Sequence, residues 1–204
     1  MTETSKKPRT SKSGLIILIV LVALFALPEI IAVGLQASKW RPKSTTNKGE
    51  LVQPARAIKD IDLLTIEDKP VEFSSFHQKW TMIYFADAAC NEACVKNIYL
   101  MRQVHKALGK EHGRFQGVFV VIGSAPAGQL QEKLKDYPGL TIISGPRKNV
   151  DELALQFILP GSKAIDFERL YLVDPMGNLM MSYRDNPRGM LKDLSHLMKI
   201  SSTG

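Results

Sequence analysis

Two cysteines, Cys90 and Cys94, are the only thiols in the 204 residues. Four residues apart, they fall within little more than one helical turn. A pair at that spacing can close a disulfide with modest distortion, or hold one soft metal ion such as Cu(I) between two thiolates. Their setting suits either chemistry. Trp80-Thr-Met-Ile-Tyr-Phe85 is rich in β-formers and reads as a strand, and a helix is expected from about Glu92 to Lys110. The pair therefore lies where a strand hands over to a helix. A helix N-terminus carries partial positive charge, which stabilises a thiolate, and the carboxyl ends of strands are where α/β folds open clefts. A purely structural disulfide here would close a loop of five residues, worth only about 2 kcal/mol in the chain-entropy model. Cys90 and Cys94 are therefore taken as the catalytic pair, Cys90 attacking and Cys94 resolving, and as the candidate copper ligands.

The elements that must position the pair follow in order. Gly117–Ile122 is a continuous apolar run suited to a strand buried on both faces. Ala127–Asp136 reads as a short helix, Leu140–Ile143 as a strand and Val150–Phe157 as a helix. Leu170–Val173 and Asn178–Tyr183 flank Asp174-Pro-Met-Gly177, a hairpin turn signal. Asn186-Pro187 opens a last helix to about Lys199. Alternating βα units followed by an antiparallel pair predict an α/β, thioredoxin-like mixed sheet with flanking helices.

The N-terminal fifty residues are of another kind. Leu15–Leu27 is an unbroken apolar run, interrupted by Pro28 and Glu29 and resumed at Ile30–Leu35. As a helix these residues span ~31 Å, the thickness of a hydrocarbon core. The expected organisation is a basic tail over 1–13, a transmembrane anchor over 14–36, a linker and lead-in over 37–67, and the thioredoxin-like domain over 68–204. A signal peptide removed after Leu15–Leu27 is the competing reading. Either way the rest of the chain is exported. The short basic tail stays inside, which places the domain in the periplasm of a bacterial inner membrane, or the equivalent compartment, where disulfides persist. Glu29 lies near the outer end of the segment, where it can snorkel, and Trp40 where an interfacial anchor is expected.

Charge argues against a nucleic-acid partner. The chain carries +7, but residues 1–50 hold eight basic and three acidic side chains, and the remainder 19 and 17. The excess flanks the apolar segment, where it meets anionic headgroups.

From about Asp68 to Met198 the sequence resembles the Sco/SenC family of cytochrome c oxidase assembly proteins. Lys79–Phe85 leading into Cys90-Asn-Glu-Ala-Cys94, and Leu170–Gly177, carry the resemblance, together with the single N-terminal anchor. It implies copper bound by the two cysteines and a distant histidine, and a partner in oxidase subunit II or other assembly factors. The family histidine lies five residues before the tyrosine that matches Tyr171; here that position is Asp166. A carboxylate is a hard ligand and a poor substitute for soft Cu(I). His77, His105, His112 and His196 are expected in packing or surface roles, and Met176, Met180 and Met181 as hairpin filler. Three functions stay open: thiol–disulfide chemistry, a Cu(I) metallochaperone, and a non-redox assembly scaffold.

Overall fold

Strand β4, Trp80–Asp87, is buried along nearly its whole length because it has a neighbour on each edge and helices on each face. The computed structural model describes residues 12–38, 46–123, 130, 134, 137 and 139–201. They fall into two units, Met1–Thr46 and Asn47–Gly204.

In the first unit, α1 spans Lys12–Ala37 and continues through Pro28. Ser13–Ala37 has a mean hydropathy of 3.0 and buries none of its side chains within the chain. A helix apolar on every side has no face suited to water. At ~1.5 Å per residue it is also long enough to cross a bilayer. The anchor expected over 14–36 falls inside it. Trp40 lies outside the described residues.

In the second unit the strands are β1 (Glu50–Ala57), β2 (Asp62–Thr65), β3 (Pro70–Glu72), β4, β5 (Phe115–Ile122), β6 (Leu140–Ser144), β7 (Leu170–Val173) and β8 (Asn178–Tyr183). They form one mixed sheet in the order β1-β8-β7-β4-β5-β6-β2-β3. Strands β4, β5 and β6 run parallel, while β7 lies antiparallel to β4 and pairs with β8 as the expected hairpin. The helices are α2 (Glu92–Ala107), α3 (Arg147–Leu155) and α4 (Pro187–Ile200). The helix expected over Ala127–Asp136 lies outside the described residues, apart from the buried Leu130 and Leu134.

The period-two alternation of strands sorts the core into two layers. Met82, Tyr84 and Ala86 of β4 and Phe119 and Val121 of β5 face Ile98 and Met101 of α2 and Met190 and Leu194 of α4. Ile83 and Phe85, with Val118 and Val120, face Val150 and Leu153 of α3 and the short 3₁₀ turn Phe73–Phe76. Cys90 and Cys94 belong to the first layer.

One boundary needs correction. The sheet begins at Glu50, so the stretch expected as linker and lead-in over 37–67 contains β1 and β2. Charged residues and Pro54 break the apolar alternation of β1, which lies at a sheet edge with one neighbour and few inward-facing side chains. Strands at edges tolerate proline and charge. Asp193 of α4 fastens the start of this stretch, its carboxylate accepting the Lys48 and Gly49 amides at 2.7 and 2.8 Å and the Tyr183 hydroxyl at 3.2 Å.

Candidate functional site

Beyond the end of β4 the chain winds through a tight turn held by one residue. The Asp87 carboxylate accepts the Ala89 amide at 2.8 Å, and its carbonyl accepts the Cys90 amide at 3.0 Å. Cys90 takes a φ of +40°, an uncommon conformation outside glycine that turns the chain into the helix. Asn91 then caps α2, its side-chain oxygen accepting the Cys94 amide at 3.0 Å. Cys90 thus precedes the cap by one residue, and Cys94 sits in the first turn.

The two sulfurs are joined in a disulfide, with the Cα atoms 5.1 Å apart. Cys94 is 1% exposed and Cys90 4%. A cavity of about 500 Å³ opens beside the pair, lined by Tyr84, Ala86, Asp87, both cysteines, Ile122, Phe167 and Glu168 among others. Burial pushes the Tyr84 phenol above its ordinary pKa, a facing Asn97 amide opposes this, and the charge of Glu168 adds to it. Tyr84 is therefore a neutral wall of the cavity. A second depression, about 630 Å³, shares Ala89, Cys90 and Asn91 with the first and is bordered also by Glu92, Val95, Lys96 and Tyr99.

Asp166 lies in the segment ahead of β7, and pairing of Leu170 with Tyr84 brings that segment to the same sheet end as the cysteines. Its neighbours Phe167 and Glu168 line the cysteine cavity, but Asp166 does not. The carboxylate is spent elsewhere. It accepts Arg169 Nε at 2.9 Å, an Arg184 guanidinium nitrogen and the Glu168 amide, and Arg169 also pairs with Glu50 at 2.7 Å. Burial alone would raise the Asp166 pKa, but the Glu168 amide and the two guanidinium groups outweigh it and hold the carboxyl below its usual range. The charge network was missed from sequence because Glu50 and Arg184 lie 116 and 18 residues from Asp166, and only Arg169 is near it in the chain.

The donor set bears on copper. Among the described residues no group of three His, Cys, Asp or Glu side chains is placed to hold a metal ion. The two sulfurs are the soft donors here, and a three-ligand site with Asp166 does not fit a carboxylate already paired with two arginines. His105, in the last turn of α2, and His112, beyond its end, lie with ring centroids 5.9 Å apart, bordering a separate cavity with Arg102, Lys106 and Tyr137. The His77 ring packs under Gly177, where a Cβ would collide with it. His196 lies on α4. Met181 is buried in the sheet, and Met176 is exposed on the hairpin turn.

Comparison with known proteins agrees with this architecture. A "Putative copper-binding protein" of Stutzerimonas stutzeri is 28% identical over 152 residues, which cover 70% of this chain and 74% of that one. The crystal structure of yeast Sco1 superposes with a TM-score of 0.61 at 16% identity, covering 71% of this chain and 99% of the other. Copper-bound ScoI of Bradyrhizobium japonicum gives 0.56 at 20% identity, covering 71% and 98%. The fold is thus the thioredoxin-like fold of Sco proteins, as the sequence resemblance implied. Residues 80–201, from the first residue of β4 through α4, match the transmembrane-like, thioredoxin-like C-terminal domain, and the chain belongs to that family.

Proposed function

We propose that this protein is a membrane-anchored, Sco-like assembly factor for cytochrome c oxidase that works by thiol–disulfide exchange on Cys90 and Cys94, with its domain on the periplasmic side of a bacterial inner membrane or in the equivalent compartment. One observation carries the choice of chemistry: the disulfide stands at the first turn of α2 while Asp166 is consumed by Arg169 and Arg184. A dithiol without a third soft ligand is better equipped for exchange than for metal storage. In the reduced pair, both sulfurs lie within reach of the helix's positive end, which favours thiolates. Cys90, the more exposed, is the attacking thiolate on a partner disulfide; Cys94 then attacks the Cys90 sulfur and releases the partner. Subunit II of the oxidase, or another assembly factor, is the partner implied by the resemblance.

The test is a redox titration together with partner trapping in a Cys94→Ser variant of the full chain. A measurable two-electron couple and a mixed disulfide through Cys90 are expected. A disulfide that cannot be cycled, with no trapped species, overturns the reading.

A second reading is delivery of Cu(I) as cargo held by two thiolates. It is supported by the name of the Stutzerimonas relative and by the copper-bound state of the Bradyrhizobium protein. Titration of the reduced chain against a Cu(I) competitor tests it; affinity unchanged in the Cys90→Ser/Cys94→Ser double variant overturns it. Oxidase assembly preserved in that same variant would favour a scaffold instead.

A further inference from the structure

Cys90 is the saddle between two depressions. The cavity on the Phe167 side and the depression on the Tyr99 side share Ala89, Cys90 and Asn91. Seven large hydrophobic side chains are markedly exposed in the described part of the sheet domain, and three of them, Val95 (48%), Tyr99 (54%) and Phe167 (47%), border these two depressions. Val95 and Tyr99 lie one turn apart on α2 and present one apolar face. The rim is acidic: Asp87, Glu92 and Glu168 stand around it, Glu168 within 3.6 Å of Arg184. The rim lysine, Lys96, is paired with Asp185 at 2.8 Å.

We propose that this groove docks an extended, cysteine-bearing polypeptide segment of a partner, with apolar residues on each side of the cysteine and basic residues beyond them. The inference rests on the thiol–disulfide reading and names the substrate chemistry of the same pair. The lining residues that the two depressions share, Cys90 among them, set the order: one apolar side chain against Val95 and Tyr99, the cysteine over Cys90, the next apolar side chain against Phe167. The acidic rim selects the basic flanks. In the step itself, the reverse of the exchange above and starting from the oxidised pair, the peptide thiolate attacks Cys90 Sγ. A new disulfide forms, the Cys90–Cys94 bond breaks, and Cys94 leaves as the thiolate. The peptide sulfur is oxidised, Cys94 is reduced, and the peptide's thiol proton goes to solvent. The segment ahead of β7 is a positioning device: the Asp166 carboxylate, fixed by two arginines and bound to the Glu168 amide, holds Phe167 at the groove.

The test uses the full chain in detergent, oxidised, with three synthetic nonapeptides. One has Leu on each side of a central Cys and Lys at both ends. The second has Ser in place of Leu, and the third has Glu in place of Lys. The first peptide is expected to form the mixed disulfide about tenfold faster than either other. In Tyr99→Ser/Phe167→Ser the advantage of Leu over Ser should disappear, while it persists in a Leu155→Ser control. Equal rates for all three peptides, or an advantage that survives the double variant, overturns the groove while leaving the thiol chemistry standing. A redox-inert version of the first peptide, with Ser for Cys, is titrated by calorimetry. Its binding, lost in the double variant, supports the groove even where dithiothreitol fails to reduce the pair, the result that sinks the exchange reading. Self-association or vesicle binding that depends on Tyr99 and Phe167, without peptide binding, assigns the surface to a second copy or to lipid and overturns the proposal.

Discussion

Asp166 and Arg169 meet at 2.9 Å within one short turn ahead of β7, and Arg184 from the end of the hairpin closes on the same carboxylate. A position where the family resemblance places a soft metal ligand is occupied by a charge-paired anchor. That change alters what a substitution there can do.

Asp166→His alone is expected to leave Cu(I) affinity of the reduced chain within threefold of the parent. The imidazole would stand between two guanidinium groups rather than beside the sulfurs. The same change should cost about 1–2 kcal/mol of stability, because charge-assisted hydrogen bonds are lost from a partly exposed cluster. Competition titration and chemical denaturation measure the two effects; a large gain in affinity would show that the segment swings onto the cysteines.

Acid stability carries the signature of the same residue. The folded pKa of Asp166 lies below its ordinary value. The unfolded chain therefore binds more protons in that range, and stability rises with pH there. The contribution is complete above the unfolded value of about 3.9 and is lost as pH falls through the folded one. Asp166→Asn should flatten the fall in stability below about pH 4. Asp60 is likewise lowered, held by the side chain and amide of Ser74, so part of the slope must survive in the variant. Denaturation midpoints across acid pH, parent against variant, supply the measurement.

Reduction should leave the fold standing. The disulfide closes a five-residue loop, worth about 2 kcal/mol, which corresponds to a Tm lower by about 4–8 °C. Calorimetry with and without reductant checks this. Cooperative unfolding on reduction alone would make the bond a staple rather than a working pair.

Asp193→Ala should loosen the start of the sheet domain. It strands the Lys48 and Gly49 amides and the buried Tyr183 hydroxyl, whose pKa is raised by burial and by the charge of Asp193. A loss of about 2–4 kcal/mol is expected. Hydrogen exchange should accelerate first along β1, whose Glu50 and Leu51 pair with Ser182 and Met181.

Local pattern made much of this molecule legible. The apolar run of α1, the β-rich β4, the continuous β5 and the Asp174–Gly177 turn each show their identity within a few residues, since periodicity and turn chemistry are short-range properties. Cys90 and Cys94 were readable for the same reason: four residues and a strand-to-helix junction define their relation. β1 to β3 were not legible: β1 and β3 are the two edge strands and β2 has only four residues, so pairing stabilises them more than their own alternation does.

The sequence by itself determined the chemistry available: two thiols at a helix start, an apolar helix ahead of an α/β domain, and a carboxylate where a histidine was expected. Tertiary structure alone decided the company each residue keeps. Asp166 was free to be read as a ligand until folding brought Arg184 and Glu50 into its neighbourhood, across 18 and 116 residues of chain. Phe167 came to border a cavity at Cys90, as Val95 and Tyr99 border the neighbouring depression, only when β7 paired with β4. Such relations depend on long-range strand pairing, whose partners no local window of sequence contains.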